Sequence, residues 1–426
     1  MLHLLVVAAA AILGAVQADS DLLLKYPDEV ISARTMDFPL DLTTAVEIVP
    51  RHTQIEEPPA SRAPHAADYA WTTTYGFIGF NLMDVNIAAD GMNEAGLSAA
   101  WLYLDGSEYP LVNASDARPV VTSLVTYILG NYATVADVKA GLETIQFAGL
   151  DPRIIPVLTP LSPPPSSLPL HLAVHDATHH SLVVEFIDGV MHIHDNPIGV
   201  LTNEPPFDDQ VAAFRAHDFR DLPGGYDSTP RFIRLAMLNS EASFLAFANT
   251  SFSVTSTQGQ AGVAAALHLI ETAALPSGYV GEGAATQYTV VRDHARRHIY
   301  FLSTNNQVPR RIDMDAIDFG QPANRKFVPV TFGRWFVDVT ADQLASSNRT
   351  HDLAPRSVQS AALRAIPEPT TRAERRVTRD AYTGFVVAAV ATALIAFVIY
   401  ELRRMLQSGY VAITSSESGR GSGYAP

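Results

Sequence analysis

The chain has 426 residues, 47% hydrophobic and 17% charged, with a formal net charge of -15. Such a length and composition support a large buried core, and the acidic balance argues against a nucleic-acid partner, whose phosphates need clustered Lys and Arg. There is no cysteine, which excludes disulfides, thiolate metal sites and a cysteine nucleophile.

In chain order, Leu4 to Val16 is apolar and ends in Val16-Gln17-Ala18, the pattern of a signal peptide (1–18) cut after Ala18, although no Lys or Arg precedes the run. Asp19 to Leu24 and Glu29 to Phe38 read as two strands joined by a turn at Tyr26-Pro27-Asp28. Val46 to Val49 alternates as a strand, Glu57 to Ser61 is loop, and Tyr75 to Leu82 is strand-like. Asp90 to Leu97 is a turn cluster, followed by a strand to Leu104. Val120 to Leu129 has helical spacing and ends at Gly130-Asn131, a C-cap signature. Thr134 with Asp137 forms a shortened capping box for a helix to about Ile145. Residues 159–169 are a Pro/Ser-rich excursion.

Residues 170–195 predict a three-stranded meander with a two-residue turn at Asp188-Gly189. Its histidines, His171, His175, His179, His180, His192 and His194, are assigned to a solvated face rather than to a metal, because no carboxylate sits at matching ligand spacing. Gly199 to Asn203 is a short strand. Thr229-Pro230-Arg231 starts a helix, a second helix covers about Gly262 to Ala274, and 287–303 forms a hairpin. A polar stalk (341–380) leads to Ala381–Tyr400, twenty uncharged residues long enough to cross a bilayer, and then to a cytosolic tail (401–426). With a signal peptide, the domain at 19–340 would be lumenal or extracellular. Three glycosylation sequons, at Asn113, Asn249 and Asn348, all precede the span. Tyr410-Val411-Ala412-Ile413 has the form of a tyrosine-based sorting signal, implying endosomal or lysosomal routing; the cell surface is the other destination. Helices and strands come in blocks, which favours an α+β fold of stacked antiparallel sheets with helices outside.

Ile31-Ser32-Ala33-Arg34-Thr35-Met36-Asp37-Phe38, followed by Asp90-Gly91-Met92-Asn93-Glu94-Ala95-Gly96-Leu97, resembles the choloylglycine hydrolase family of penicillin V acylases and bile salt hydrolases. Leu102-Tyr103, Gly199 to Asn203, Leu222 to Gly225 before Arg231-Phe232, and Leu275 to Gly278 continue the likeness, which covers about residues 19–320. The resemblance implies the four-layer αββα sandwich of N-terminal-nucleophile hydrolases, no metal or cofactor, and an acyl-amide small molecule as partner. It further implies that Arg34 lies beside the nucleophile, Asp37 binds the free α-amino group, Tyr103 and Asn203 lie near the oxyanion, and Arg231 holds the cluster together. An α-amine has a pKa of about 7.7–8.0, so it can serve as the base near neutral pH.

The family's first mature residue is a cysteine, and here Asp19 takes that place, with Ser20 the nearest hydroxyl. Two readings follow. Either Asp19 is the N-terminus of a catalytically inactive relative that binds an acyl amide, or the chain is trimmed to Ser20, which an α-amine can activate. A slip of one residue would turn every side chain of the strand to its other face. Without the resemblance, Arg34 and Asp37 are a strand-end ion pair, Tyr103 is core and Asn203 shapes a turn. The oligomeric state, a homo-oligomer included, stays open.

Overall fold

The computed structural model describes residues 19–341 except 26–28, 40, 59–68, 82–84, 86, 152–166, 242–257 and 277–284. Two compact units divide the chain, Met1–Thr350 and His351–Pro426, and the described residues all belong to the first. The expected signal peptide, stalk, span and tail, together with the turn at 26–28, Asn249, Asn348 and the Tyr410 motif, lie outside the described residues.

Two antiparallel sheets carry the fold. One runs in the order β14 (Val200–Leu201), β1 (Ser20–Leu23), β2 (Ile31–Phe38), β15 (Ala285–Asp293), β16 (His298–Ser303) and β17 (Asn306–Asp313). The other has the order β13 (Val190–Asp195), β12 (Ser181–Ile187), β11 (Leu170–His175), β8 (Ser98–Tyr103), β7 (Ala88–Asn93), β6 (Phe77–Asn81), β3 (Ala45–Val49) and β18 (Lys326–Pro329). Met36, Tyr288 and Val290 from the first meet Ile78, Phe80 and Met92 from the second in one core. Phe80 stacks on Tyr288 with ring centroids 5.2 Å apart, a geometry worth about 0.5–1.5 kcal/mol beyond the buried area.

Helices cover both sheets. On the eight-stranded sheet, α1 (Leu124–Asn131) packs against β7 and β8, and with α2 (Val135–Leu142) it encloses a core of Trp101, Leu172, Val184 and Phe186. Thr134 caps α2 through the expected box, its hydroxyl accepting from Asp137 N–H while the Asp137 carboxylate accepts from Thr134 N–H. Against the six-stranded sheet pack α4 (Ser228–Glu241), which touches β1 and β14, and α5 (Gln258–Ile270), which lies on β2 and β15; α3 (Phe207–Ala216) packs on α4. The result is a mixed sandwich of antiparallel sheets with helices on each.

Some expectations need correction. Asp90 to Asn93 is strand β7 rather than turn, and only Glu94 to Gly96 turns the chain. The helix expected from Val120 begins at Leu124, because Val120–Val121 pairs with Gln146–Phe147. The Glu57 carboxylate then accepts from Thr122 and Ser123 N–H. His171 and His175 are buried, not solvated. Their strand has both faces covered, so alternation there separates two interiors rather than core from water.

Candidate active site

β1 lies between β14 and β2, so its backbone is bonded on both edges. Ser20 stands opposite Thr35, and Asp21 opposite Arg34. Directly opposed residues share a sheet face and successive ones alternate. Ser20, Thr35 and Asp37 therefore lie on one face, Asp21 and Arg34 on the other. Asp19, just ahead of β1, turns to the Arg34 side: its Oδ1 accepts from Arg34 Nη2 and from Asp37 N–H, each at 3.2 Å. Its Oδ2 accepts from Tyr103 N–H at 3.2 Å. The carboxylate thus bridges three donors contributed by two strands in different sheets.

Arg231, from α4, ties the other side. Nη1 donates to the Asp19 carbonyl and to Ser20 Oγ, both at 2.7 Å. Nη2 donates to Asn203 Oδ1 at 2.7 Å and Nε to the Tyr226 carbonyl at 2.8 Å. Asn203 Nδ2 in turn donates to the Tyr103 carbonyl at 2.9 Å. The structure therefore brings Asp19, Ser20, Arg34, Asp37, Tyr103, Asn203 and Arg231 into one connected cluster. Ser20 belongs to it through Arg231, on the face away from Tyr103 N–H, and its own N–H donates to Thr35 Oγ1.

Asp37 does not share Arg34's face. Its carboxylate accepts from Thr35 Oγ1 at 3.1 Å and from Thr286 Oγ1. Burial, and next the Asp19 charge, push its carboxyl up to about 7. Burial likewise pushes Asp19 up, against the lowering pull of Arg34, the Asp37 and Tyr103 N–H groups and Arg231. Burial brings Arg231 down to about 10, opposed by Asp37 and Asp19. For Arg34, burial is outweighed by Asp19, Tyr288 and Asp90, which keep it firmly protonated. Two buried carboxyls near one another, both raised, favour holding a proton at the site.

Behind the cluster lies a second polar layer that sequence reasoning passed over. Asp90 links two guanidiniums, accepting from Arg34 Nη1 at 3.3 Å and from Arg292 Nη2. Arg292 Nη1 reaches Ser32 Oγ at 3.3 Å. His294 Nδ1 donates to the Gly96 carbonyl at 2.8 Å, so its Nε2 accepts from Ser32 O–H at 2.8 Å. Burial drives His294 down to about 3, and the ring stays neutral. His175 Nε2 meets Asp21 Oδ1 at 2.5 Å. Asp90 lies in a motif whose Gly and Asn content reads as a turn, which conceals its place in a strand between two guanidiniums. Nothing local marks His175 or His294, whose partners lie far away in sequence. Among the described residues, no group of three or more His, Asp or Glu side chains is placed to hold a metal ion. Asn113 is exposed in a loop.

An apolar cavity enclosing about 550 Å³, its open mouth included, adjoins β8. Trp101, Tyr109, Phe147, Leu150, Leu168 and Ala89 contribute to its wall. Trp101 connects cavity and cluster, since its carbonyl accepts from Arg34 Nη2.

Residues 23–325 match the sequence model of the linear amide C–N hydrolases, choloylglycine hydrolase family. A penicillin V acylase of Pectobacterium atrosepticum is 28% identical over 315 residues, covering 69% of this chain and 79% of that protein. A bile salt hydrolase/transferase of Lactiplantibacillus plantarum is 29% identical over 201 residues, 46% of this chain and 55% of that protein. Among solved structures, penicillin V acylase from Agrobacterium tumefaciens superposes with a TM-score of 0.56 at 26% identity, covering 71% of this chain and 88% of that one. A conjugated bile acid hydrolase from Clostridium perfringens shares the fold, with a TM-score of 0.58 at 22% identity over 73% of this chain and 96% of that one. The chain belongs to the choloylglycine hydrolase family of linear amide C–N hydrolases.

Proposed function

We propose that this protein is a membrane-anchored relative of the linear amide hydrolases that binds an N-acyl amide in its pocket without cleaving it. The observation that carries the reading is the Asp19 carboxylate, which occupies Arg34, Asp37 N–H and Tyr103 N–H at the head of β1. A carboxylate that attacks an amide carbonyl and expels the amine leaves a mixed anhydride. This product is more reactive than the amide, so the step runs backwards. A backbone N–H that bonds a developing oxyanion is worth about 2.7–4 kcal/mol to a reaction, and here Tyr103 N–H is already bonded to a resident anion. Ser20 does not replace the missing thiol. It is buried, its hydroxyl accepts from Arg231, and its face is opposite Arg34.

The acyl portion of the ligand would lie in the cavity beside Trp101, and its polar end would face Asn203 and Tyr103. Penicillin V and conjugated bile salts, named for the relatives, set the first compounds to try. The apolar run before Asp19, the uncharged stretch 381–400 and the sequons support a lumenal or extracellular domain on a single span. Helices packed on each of the two sheets support the four-layer αββα arrangement.

The test joins N-terminal sequencing of the mature chain to two assays on one preparation. Calorimetry with a panel of N-acyl amides should detect binding, while product analysis finds no amine release. Asp19→Cys should then gain hydrolysis of the compound that binds best. Turnover by the wild-type chain, or a mature N-terminus at Ser20, would refute the reading.

A further inference from the structure

The described domain ends on an unusual surface. Phe327, Phe332, Trp335, Phe336, Val337 and Val339 are all exposed within thirteen consecutive residues, Trp335 at 70%. Elsewhere among the described residues, Leu111, Val190, Phe219 and Leu222 come from three separate stretches. Single exposed apolar side chains are ordinary, whereas a run of them marks an interaction surface. The segment begins in β18, at the edge of the eight-stranded sheet, and Trp335 packs edge-on against Phe336 at 5.1 Å. Lys326 and Arg334, also exposed, flank the aromatic side chains.

We propose that this surface rests on the lipid bilayer in which the chain is anchored; the inference depends on the membrane-anchored reading above. Two facts select a bilayer over another protein. First, only 39 residues, 342–380, separate the surface from the apolar stretch 381–400. Whatever its conformation, a linker of that length can reach no more than on the order of 140 Å, which keeps the domain tethered near the membrane. Tethering makes the encounter intramolecular, so a patch too small to bind vesicles alone becomes occupied. Second, the residue types match an interface. Trp and Phe side chains flanked by Lys and Arg are those that settle at headgroup depth. The domain would then sit against the membrane by its C-terminal edge rather than stand free on its stalk.

The chain contains its own reporter. Of its three tryptophans, Trp71 and Trp101 are 7% and 8% exposed, and Trp335 alone is open. The full-length protein is reconstituted into phosphatidylcholine vesicles carrying bromines near the headgroup end of the acyl chains. Trp emission should be quenched relative to unbrominated vesicles, and the quenching should disappear in Trp335→Phe. Alkaline carbonate washing of the same vesicles reports the span separately. Retention without quenching overturns the docking surface alone. Release by carbonate overturns the anchored reading and the docking surface together. Shielding of Trp335 from acrylamide in detergent that grows with protein concentration would assign the surface to a second copy instead, and likewise overturns the proposal.

Discussion

Asp19 and Asp21 are the same residue type, two positions apart at the head of β1, and both are buried on the side of Arg34. Burial pushes both carboxyls up. For Asp21 the ring of His175, with Arg292 and Arg34 behind it, outweighs burial and holds the group below its ordinary value. For Asp19 burial prevails, although Arg34 and two backbone N–H groups reach it. Asp21 is matched to its partner as structural ion pairs are. Asp19 sits among donors that the fold would arrange identically for any side chain there, because two of them are main-chain groups. Donors fixed in this way suit negative charge that appears and disappears, and at position 19 they are taken up by a resident carboxyl group.

The largest break of this contrast is His175→Ala. It leaves Asp21 buried beside an empty space and should destabilise the domain by about 3–5 kcal/mol, read from urea midpoints at constant m. A loss under about 1 kcal/mol would mean that the two Arg side chains alone suffice for Asp21.

The next concerns pH. Asp37 titrates near 7 in the folded chain and near 3.9 unfolded. The folded state therefore binds this proton more tightly. Its contribution is fully present below about pH 4 and is lost as pH rises through about 7. The stability of wild type relative to Asp37→Asn should fall by on the order of a few kcal/mol between pH 4 and 8. An unchanged difference would remove the raised carboxyl from the account.

Smaller effects sharpen the comparison. Ser20→Ala should cost about 1–2 kcal/mol through the lost bond from Arg231, and should leave ligand affinity within a factor of two. Asp19→Asn should change stability least, by under about 1 kcal/mol, because the desolvation that raises this carboxyl offsets its attraction to Arg34, and Arg34 keeps its ion pair with Asp90. A loss as large as that of His175→Ala would make the two aspartates equivalent.

Much of this arrangement is legible in the sequence. The strand pair shows because Leu22 to Leu24 and Val30-Ile31 are apolar or β-branched on either side of the predicted turn, and the meander shows because Asp188-Gly189 fixes its hairpin, with φ of 52° and 73°. The conversion of Asp90 to Asn93 from turn to strand was hidden by composition. Gly91 is there for close approach: a Cβ would come within 2.4 Å of the Ile78 carbonyl. Asn93 acts as a bracket, donating to the Leu129 and Tyr132 carbonyls and accepting from Ala95 and Leu97 N–H. The interior histidines were misplaced for a different reason. His171 and His175 alternate with Leu172 and Val174 as an amphipathic strand would, and only the second sheet and the loop after β14 reveal that both faces are dry. The grouping of Arg34, Tyr103, Asn203 and Arg231 came from motif order. The divided faces of Arg34 and Asp37 came from strand register, which no spacing in the sequence states.

The position of β1 also bears on how the protein is made. Its partner β2 is nearby in the chain, but β14 lies some 180 residues on. The bonds that complete the cluster join Asp21 to His175 across 154 residues and Asp19 to Arg231 across 212. Contacts of such separation close loops whose entropy must be overcome before any gain returns, and they form late and slowly. The head of β1 leaves a ribosome well before β14 and Arg231 do and is among the last segments to find all its neighbours. During that interval the edge that β14 will cover has no partner strand.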